Sequence, residues 1–519
     1  MLFAAVWIAG QSKGQTIRPS DQPTYTLRGT VINSVTGEPI RRARVSAGTY
    51  AQLTDSQGQF EFSGLLAGQI YIGVQKPGFS NEETRDGTST MVDLGPKTPE
   101  LVVKLIPEGI IFGHLTNEAG EPMEGVFMQA RAWRVFNGRR RLRQMGGQST
   151  DEDGYFRIFG LLPGTYYLQA GEVQDHGPRR MSLSARHSGY PSSYFPGVRR
   201  FSAATPIQVA AGQKVQTDFS LHRISVFQVS GRAALYPGAH VNRFQIIDSA
   251  DRNSELPVDM DFATATFIAP VVPAGSYTIM ATGSDESGHP LFGKKAVTVS
   301  SNLIDVVVSM APSASIPVVV QTEFSGSSLV GNQPPVQVQL SSTDDDEQNY
   351  FSQGPQPGQE NVEPGVVLSF VPPGRYYVDV QPQGGWYVES AASGSVDLFS
   401  EPLAIGSGNP VAPIRITLRD DGASLAGVVR SDGNPASASV LLVMQDEPLR
   451  MPQLLVSDRL GAFQIDNLPP GDYIVLAFNN MEALEYANRD ALRDYFSEAI
   501  RVTLGSRDAK TVNVDVIHR

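Results

Sequence analysis

The feature that most constrains this chain is a five-fold internal repeat. It is clearest in Thr54-Asp55-Ser56-Gln57-Gly58-Gln59-Phe60-Glu61-Phe62, which continues through Gly64 to Gly68 into Ile70-Tyr71-Ile72. Asp55 to Gly58 is turn chemistry: the carboxylate bonds backbone two residues on, and glycine accepts positive φ. Phe60/Phe62 and Ile70/Ile72 alternate, as in strands with one face buried, so the segment reads as a β-hairpin. Taking Gly68 as anchor, the same frame recurs at Gly164, Gly275, Gly374 and Gly471. Eight residues earlier stand Phe60, Phe156, Phe267, Val366 and Phe463; two residues later stand Ile70, Tyr166, Tyr277, Tyr376 and Tyr473. The opening Asp-x-x-Gly survives at Asp55, Asp151 and Asp458 and is absent from the third and fourth copies.

Anchors spaced by 96, 111, 99 and 97 residues are too far apart for a solenoid, whose units run to about 50 residues. They suit independent β domains of about 100 residues. An alternating apolar strand closes each unit, at 101–105, 217–221, 305–310, 414–418 and 512–516. The fold class expected is therefore all-β, a tandem array of about five Ig-like sandwich modules. The 50 Gly and 36 Pro of the 519 residues agree, since frequent turns need both. The expected division is 1–24 as a signal or N-terminal segment, then modules at 25–107, 108–222, 223–311, 312–419 and 420–519. The apolar run Met1–Gly10 is too short to span a bilayer and resembles the core of a secretory signal. Linkers of a few residues, such as Ile106-Pro107-Glu108-Gly109, predict a semi-rigid rod. Its radius of gyration would be at least ~1.4 times the ~24 Å of a compact globule this size. Within the last module, Leu484, Ala487, Ala491, Leu492, Tyr495 and Phe496 fall at helix spacing, which predicts a short amphipathic helix laid on that module.

One order of motifs is more specific. Gly29-Thr30-Val31, Gly37-Glu38-Pro39-Ile40, Ala43-Arg44-Val45, the Thr54–Phe62 stretch and Lys76-Pro77-Gly78-Phe79 together resemble the carboxypeptidase regulatory-like domain. Modules two and five repeat the order, with Gly120-Glu121-Pro122-Met123 and with Gly433-Asn434-Pro435. The resemblance implies a transthyretin-like sandwich that acts as a non-catalytic addition in many contexts, and a fold similar to starch-binding modules. The Tyr194-Phe195-Pro196-Gly197 segment resembles the tail of modules in multi-domain envelope proteins of soil bacteria.

The chemistry on offer is sparse. With no cysteine, disulfides and thiolate chemistry are excluded. The seven histidines form no metal-binding spacing. Neither a nucleophile elbow nor a phosphate loop occurs. The expectation is no enzyme, no cofactor and no metal. A net charge of −12 sets nucleic acid aside. Asp344-Asp345-Asp346-Glu347 could attract calcium, but it lacks the pattern of a calcium loop and reads as a solvated run. Arg139-Arg140-Arg141-Leu142-Arg143 could meet an anionic glycan or phospholipid headgroup, or be a hairpin tip. Trp133, Trp386, Tyr387 and Tyr194 are the candidate carbohydrate-binding residues, with Tyr190 and Phe195 beside them. The alternative is that such rings pack between sheets. The functional expectation is an extracytoplasmic scaffold or spacer in the bacterial envelope: periplasmic, secreted, or at the periphery of the outer membrane. Its partner would be an envelope protein or a glycan. The alternative is a carbohydrate-binding protein using the loop aromatics.

Overall fold

The structure is a computed structural model and describes residues 23–81, 90–171, 188–249, 255–324, 335–343, 349–351, 366–406, 411–481 and 483–519. The Met1–Gly10 run, the Asp344–Glu347 cluster, His176, His187 and Glu482 lie outside the described residues. What is described is almost entirely β: two-sheet sandwiches in the first four modules and one eight-stranded sheet in the fifth, each around its own apolar core.

Module one shows the plan. Its first strand, Thr24–Asn33, lies between Gln59–Leu66, antiparallel to it, and Leu101–Pro107, parallel to it. Arg44–Ala47, Tyr50–Leu53, Gly68–Gln75 and Thr90–Leu94 make the facing sheet. Leu27, Val31, Phe60, Phe62, Ile72 and Leu105 meet between the layers. The parallel pairing of first and last strand recurs in the other four modules.

The repeated frame itself is not a hydrogen-bonded hairpin. Gln59–Leu66 belongs to one sheet and Gly68–Gln75 to the other, and modules two, three and four divide in the same way; in module five the two strands again bond different neighbours, within one eight-stranded sheet. The frame is an arch that carries the chain across the sandwich. Alternating apolar residues are identical for a hairpin and an arch; both bury one face of each strand. The difference lies in which backbone each strand bonds, and here the closing of the sandwich decides it.

Each arch is braced. The hydroxyls of Tyr166, Tyr277, Tyr376 and Tyr473 donate to the carbonyls of Leu162, Pro273, Pro372 and Pro469, four residues earlier, at 2.6–2.9 Å. Module one has Ile70 there and no such bond. At the other end of the frame, Thr54, Thr150 and Ser457 are buried and staple the preceding loop. Thr54 Oγ1, for example, accepts from the Ala43 amide and donates to the Ile40 carbonyl. The next residue, Asp55, Asp151 or Asp458, accepts from the amides two and four positions on. This is the turn chemistry expected from sequence, built three times.

A glycine also answers each aromatic ring. Phe60, Phe156, Phe267 and Phe463 pair in register with Gly29, Gly113, Gly231 and Gly427 on the first strand. A Cβ at Gly29 would lie 2.5 Å from the Phe60 ring and 2.6 Å from the Leu101 carbonyl. In module four the frame carries Val366, and the paired residue is Val318.

Two expectations of shape need correction. The helix expected between 481 and 500 is one turn, Arg489–Leu492, running into a 3₁₀ turn to Tyr495. Ala483 takes a positive φ, and Asn488 caps the turn by accepting the Asp490 amide, so only a short stretch can wind. The segment still covers module five as expected. Leu484 and Leu492 are buried with Tyr486, Tyr495 and Phe496 on Leu441, Ile474, Leu476 and Phe478, the outer face of the sheet. The rod is also wrong. The chain turns back, so that module two reaches modules four and five, and Arg459 of module five stands beside Met91, Thr98 and Val102 of module one.

Candidate functional site: a basic cleft between modules

The contact that folds the chain back is made by one hairpin of module two, Phe127–Phe136 with Arg139–Ser149. Asn137-Gly138 turns it, both with positive φ, which is the two-residue turn that matches strand twist. The Gly138 carbonyl accepts the Ala487 amide of module five at 3.0 Å. Beside it the Arg139 guanidinium lies 3.6 Å from the Tyr377 ring centre of module four.

Strand alternation sets the chemistry of this contact. Arg139, Arg141 and Arg143 fall on one face of their strand; Arg140 and Leu142 fall on the other. The outer face of the module-four sheet offers Gln339 and Ser341 from one strand and Tyr377, Asp379 and Gln381 from its neighbour, paired Gln339 to Asp379 and Ser341 to Tyr377. Between these faces lies a cavity of about 180 Å³, closed by Phe136, Asn137, Met451, Pro452 and Tyr486. Its lining includes three arginines and the Asp379 carboxylate, and Glu485 and Asp490 line the adjoining cavity that Arg139 and Arg141 also border. Burial pushes the Arg139 guanidinium below its usual range and the like charge of Arg141 adds to this, while Tyr377 and Asp379 oppose it. The Arg143 guanidinium sits 5.6 Å from the Phe136 ring.

Modules four and five are joined by a second set of contacts. Asp421 is 6% exposed in its side chain and accepts from Arg419 at 3.0 and 2.8 Å and from the Tyr387 hydroxyl at 3.0 Å. The Arg419 and Tyr387 bonds hold the Asp421 carboxyl well below the usual carboxylate range, against the cost of its burial. Arg450, ion-paired with Glu447, lies 3.8 Å from the centre of the Phe399 ring and donates to the Val388 carbonyl at 3.0 Å.

The aromatic residues expected to form a sugar platform are dispersed. Tyr194 is 1% exposed and Tyr387 2%, so neither can stack on a ligand; Tyr194 packs edge-on to Phe201, and Tyr387 is bound to Asp421. Trp133 is half-buried, edge-on to Phe201, with the Arg140 guanidinium 4.6 Å from its ring centre. Trp386 is half-buried against Phe324 and the module-four core. Tyr190 carries Arg223 over its ring, and Phe195 meets Phe219. Tyr194 and Tyr387 are thus covered by their own chain, while the other four rings are partly exposed beside their packing partners. Among the described residues, no group of three or more His, Cys, Asp and Glu side chains could hold a metal ion. No helix among them is long and apolar enough to cross a membrane.

Residues 26–99 match the model of the carboxypeptidase regulatory-like domain. Over 185 residues, 32% of this chain, the sequence is 28% identical to Colossin-A of Dictyostelium discoideum, a stretch that is 2% of that protein. Among solved structures, the minor pilin GBS52 of Streptococcus agalactiae is similar over 38% of this chain and 96% of its own, at 16% identity and a TM-score of 0.22. The Bacillus anthracis TIE protein is similar over 97% of this chain and 75% of its own, at 9% identity and a TM-score of 0.16. The site residues that sequence reasoning missed are those across the cleft from the arginines. Gln339, Ser341, Asp379 and Gln381 look like the ordinary solvent face of a strand, and no local pattern marks them as opposed.

Proposed function

We propose that this protein is a non-enzymatic, extracytoplasmic scaffold of the cell envelope, in which regulatory-like β-sandwich modules are clamped into a fixed arrangement that presents loops to a partner. The observation that carries the reading is the docking of the module-two hairpin across modules four and five. Arg139 on Tyr377, Gly138 bonded to Ala487, and Arg450 on Phe399 spend cationic and backbone groups on holding modules against one another. Fixed spacing of binding surfaces is useful to a scaffold because it removes the ordering cost that a flexible string would meet on binding. A chain of closed sandwiches offers a partner its loop ends and outer faces. Aromatic stacking on sugars gains no support from rings that are buried or half-covered.

The test is fractionation of the native host, followed by pull-down from the envelope fraction with the full chain and with an undocked variant, Gly138→Val. The reading expects the protein outside the cytoplasm, and a partner retained by the native chain and weakened by the variant. Recovery in the cytosol would sink the location; equal capture by both forms would sink the role given to the clamp.

A further inference from the structure

Asn137-Gly138, which turns the docking hairpin, is the one Asn-Gly pair in the chain. Both residues have positive φ, 47° and 70°, and Phe136 pairs with Arg139 across them. The turn favours this pair because both residues tolerate the left-handed region. The contact with module five also demands the glycine, since a Cβ there would lie 2.7 Å from the Ala487 amide nitrogen. The pair brings a chemical liability with it. Glycine has no side chain to screen its amide nitrogen, so that nitrogen can attack the carboxamide of a preceding asparagine. Asn137 is exposed to water, whereas Gly138 is buried. The docked turn blocks the reaction. The first residue of such a turn has a ψ of about +30°. For an L-residue this sets the next nitrogen nearly anti to Cβ, so Asn137 Cγ cannot reach the Gly138 nitrogen. Ring closure requires Asn137 to leave the turn, and leaving it takes the Gly138 carbonyl off the Ala487 amide.

We propose that Asn137 is a site of backbone-assisted deamidation, closed while the hairpin is docked, and that the reaction releases the clamp irreversibly. The Gly138 nitrogen gives its proton to hydroxide and attacks Asn137 Cγ. An N–Cγ bond forms, the Cγ–Nδ2 bond breaks, and Nδ2 leaves as ammonia after taking a proton from water. Water then opens the five-membered imide. Attack at Cγ yields aspartate, and attack at the main-chain carbonyl of residue 137 yields isoaspartate. Aspartate restores the original main chain, and Asp-Gly suits the same turn. Isoaspartate routes the main chain through Cβ and Cγ. That extra methylene falls inside a turn whose register leaves only residues 137 and 138 between Phe136 and Arg139, so the tip cannot close again. The proposal rests on the docking contact and is independent of the scaffold's location and partner.

The experiment ages the full chain in mildly alkaline buffer and follows residue 137 by peptide-mapping mass spectrometry. The map reads conversion of amide to acid, and chromatography separates the aspartyl from the isoaspartyl peptide. The native chain is compared with Tyr377→Ala, which removes the ring beneath Arg139. Arg139→Gln removes the same contact from the other side and takes its place, with the same expectation, if module four fails to melt cooperatively in the first variant. Asn137 should convert about 2–30-fold faster in the variant, the factor by which losing a cation–π contact raises the undocked fraction. The isoaspartyl fraction of the native chain should show a larger radius of gyration by small-angle scattering. Asn137→Asp, which carries the charge without the extra methylene, should stay as compact as the unaged chain. No conversion at Asn137 in either form overturns the site, and equal rates with and without the Arg139 contact overturn the protection by docking. An isoaspartyl fraction as compact as the unaged chain overturns the release.

Discussion

Gly138 is where the fold-back can be broken with least harm to any module. A Cβ there would lie 2.7 Å from the Ala487 amide nitrogen and 2.7 Å from two carbons of the Tyr486 ring. Carbon contacts settle at about 3.5–4.0 Å, so Gly138→Val must move the hairpin tip by about 1 Å. That stretches the 3.0 Å bond from the Ala487 amide to the Gly138 carbonyl beyond hydrogen-bonding range. It also lifts Arg139 off Tyr377. The bond contributes about 1 kcal/mol and the cation–π contact about 0.5–2 kcal/mol. Docking should weaken by about 1.5–3 kcal/mol, a factor of roughly 10–150 at 1.4 kcal/mol per decade. The left-handed strain of valine at this turn is common to docked and undocked forms, so it lowers hairpin stability without entering that ratio. The chain has no cysteine, so cysteines introduced at the exposed Gln148 and Glu498 would be the sole labelling sites for distance measurement by electron spin resonance. The native arrangement should give one narrow distribution and Gly138→Val a broad or shifted one, with module two still melting cooperatively. An unchanged distribution in the folded variant would refute the clamp.

Three further outcomes follow from the packing. Phe156→Ala, at a ring 1% exposed, should cost module two about 3–5 kcal/mol by calorimetry and leave the transitions of modules one and three in place. Tyr277→Phe should cost module three about 1–3 kcal/mol by removing the arch bond to Pro273. Because burial raises the Tyr277 hydroxyl to about 12, its contribution is full below the ordinary value near 10. It is lost as pH rises from about 10 to about 12, so the variant should flatten alkaline unfolding over that window, read by circular dichroism. Asp421 has a depressed folded pKa, so its contribution is present above about pH 4 and fades as pH falls below. Asp421→Asn should cost about 1–2 kcal/mol at neutral pH, measured by urea unfolding, and remove that acid dependence.

The sequence was most informative where the chemistry is local. All five anchor glycines begin strands, at Gly68, Gly164, Gly275, Gly374 and Gly471, because the alternation around them is the alternation of a sandwich core. The Asp-x-x-Gly turns form as their side-chain bonding requires. Three things were hidden, each because it depends on a distant partner. An arch and a hairpin share one apolar pattern. The tyrosines at the second position after the anchor were legible as apolar bulk, while their hydroxyls turned out to brace the arch. The Arg139–Arg143 run reads as a loop tip until Tyr377, Asp379 and Ala487 are beside it, more than two hundred residues away. Tyr194 and Tyr387 show the reverse error: a ring next to a turn looks available until Phe201 or Asp421 takes it.

Module four joins these strands of argument. It is the copy that departs furthest from the frame, with Val366 in the aromatic column, Val318 in place of the glycine, and no Asp-x-x-Gly turn. It is also the copy held from both sides, by Arg139 on Tyr377 and by Arg450 on Phe399 with the Asp421 bonds to Tyr387 and Arg419. Departures tolerated inside the module coincide with contacts supplied from outside it. Module four should therefore be the one that does not stand alone. Each cation–π contact is worth about 0.5–2 kcal/mol and each charge-assisted bond about 1.5–3 kcal/mol, so its neighbours contribute several of the 5–15 kcal/mol that hold a small domain folded. Residues 312–419 expressed alone should melt well below their transition in the full chain, and joining them to module five as 312–519 should restore much of the difference. Module one, 25–107, contains its own turns, staple and aromatic column, and should melt alone nearly as it does in place. If the excised module four melts at its full-chain temperature, its neighbours contribute nothing to its folding, and the contacts at Tyr377, Phe399 and Tyr387 serve only to position it.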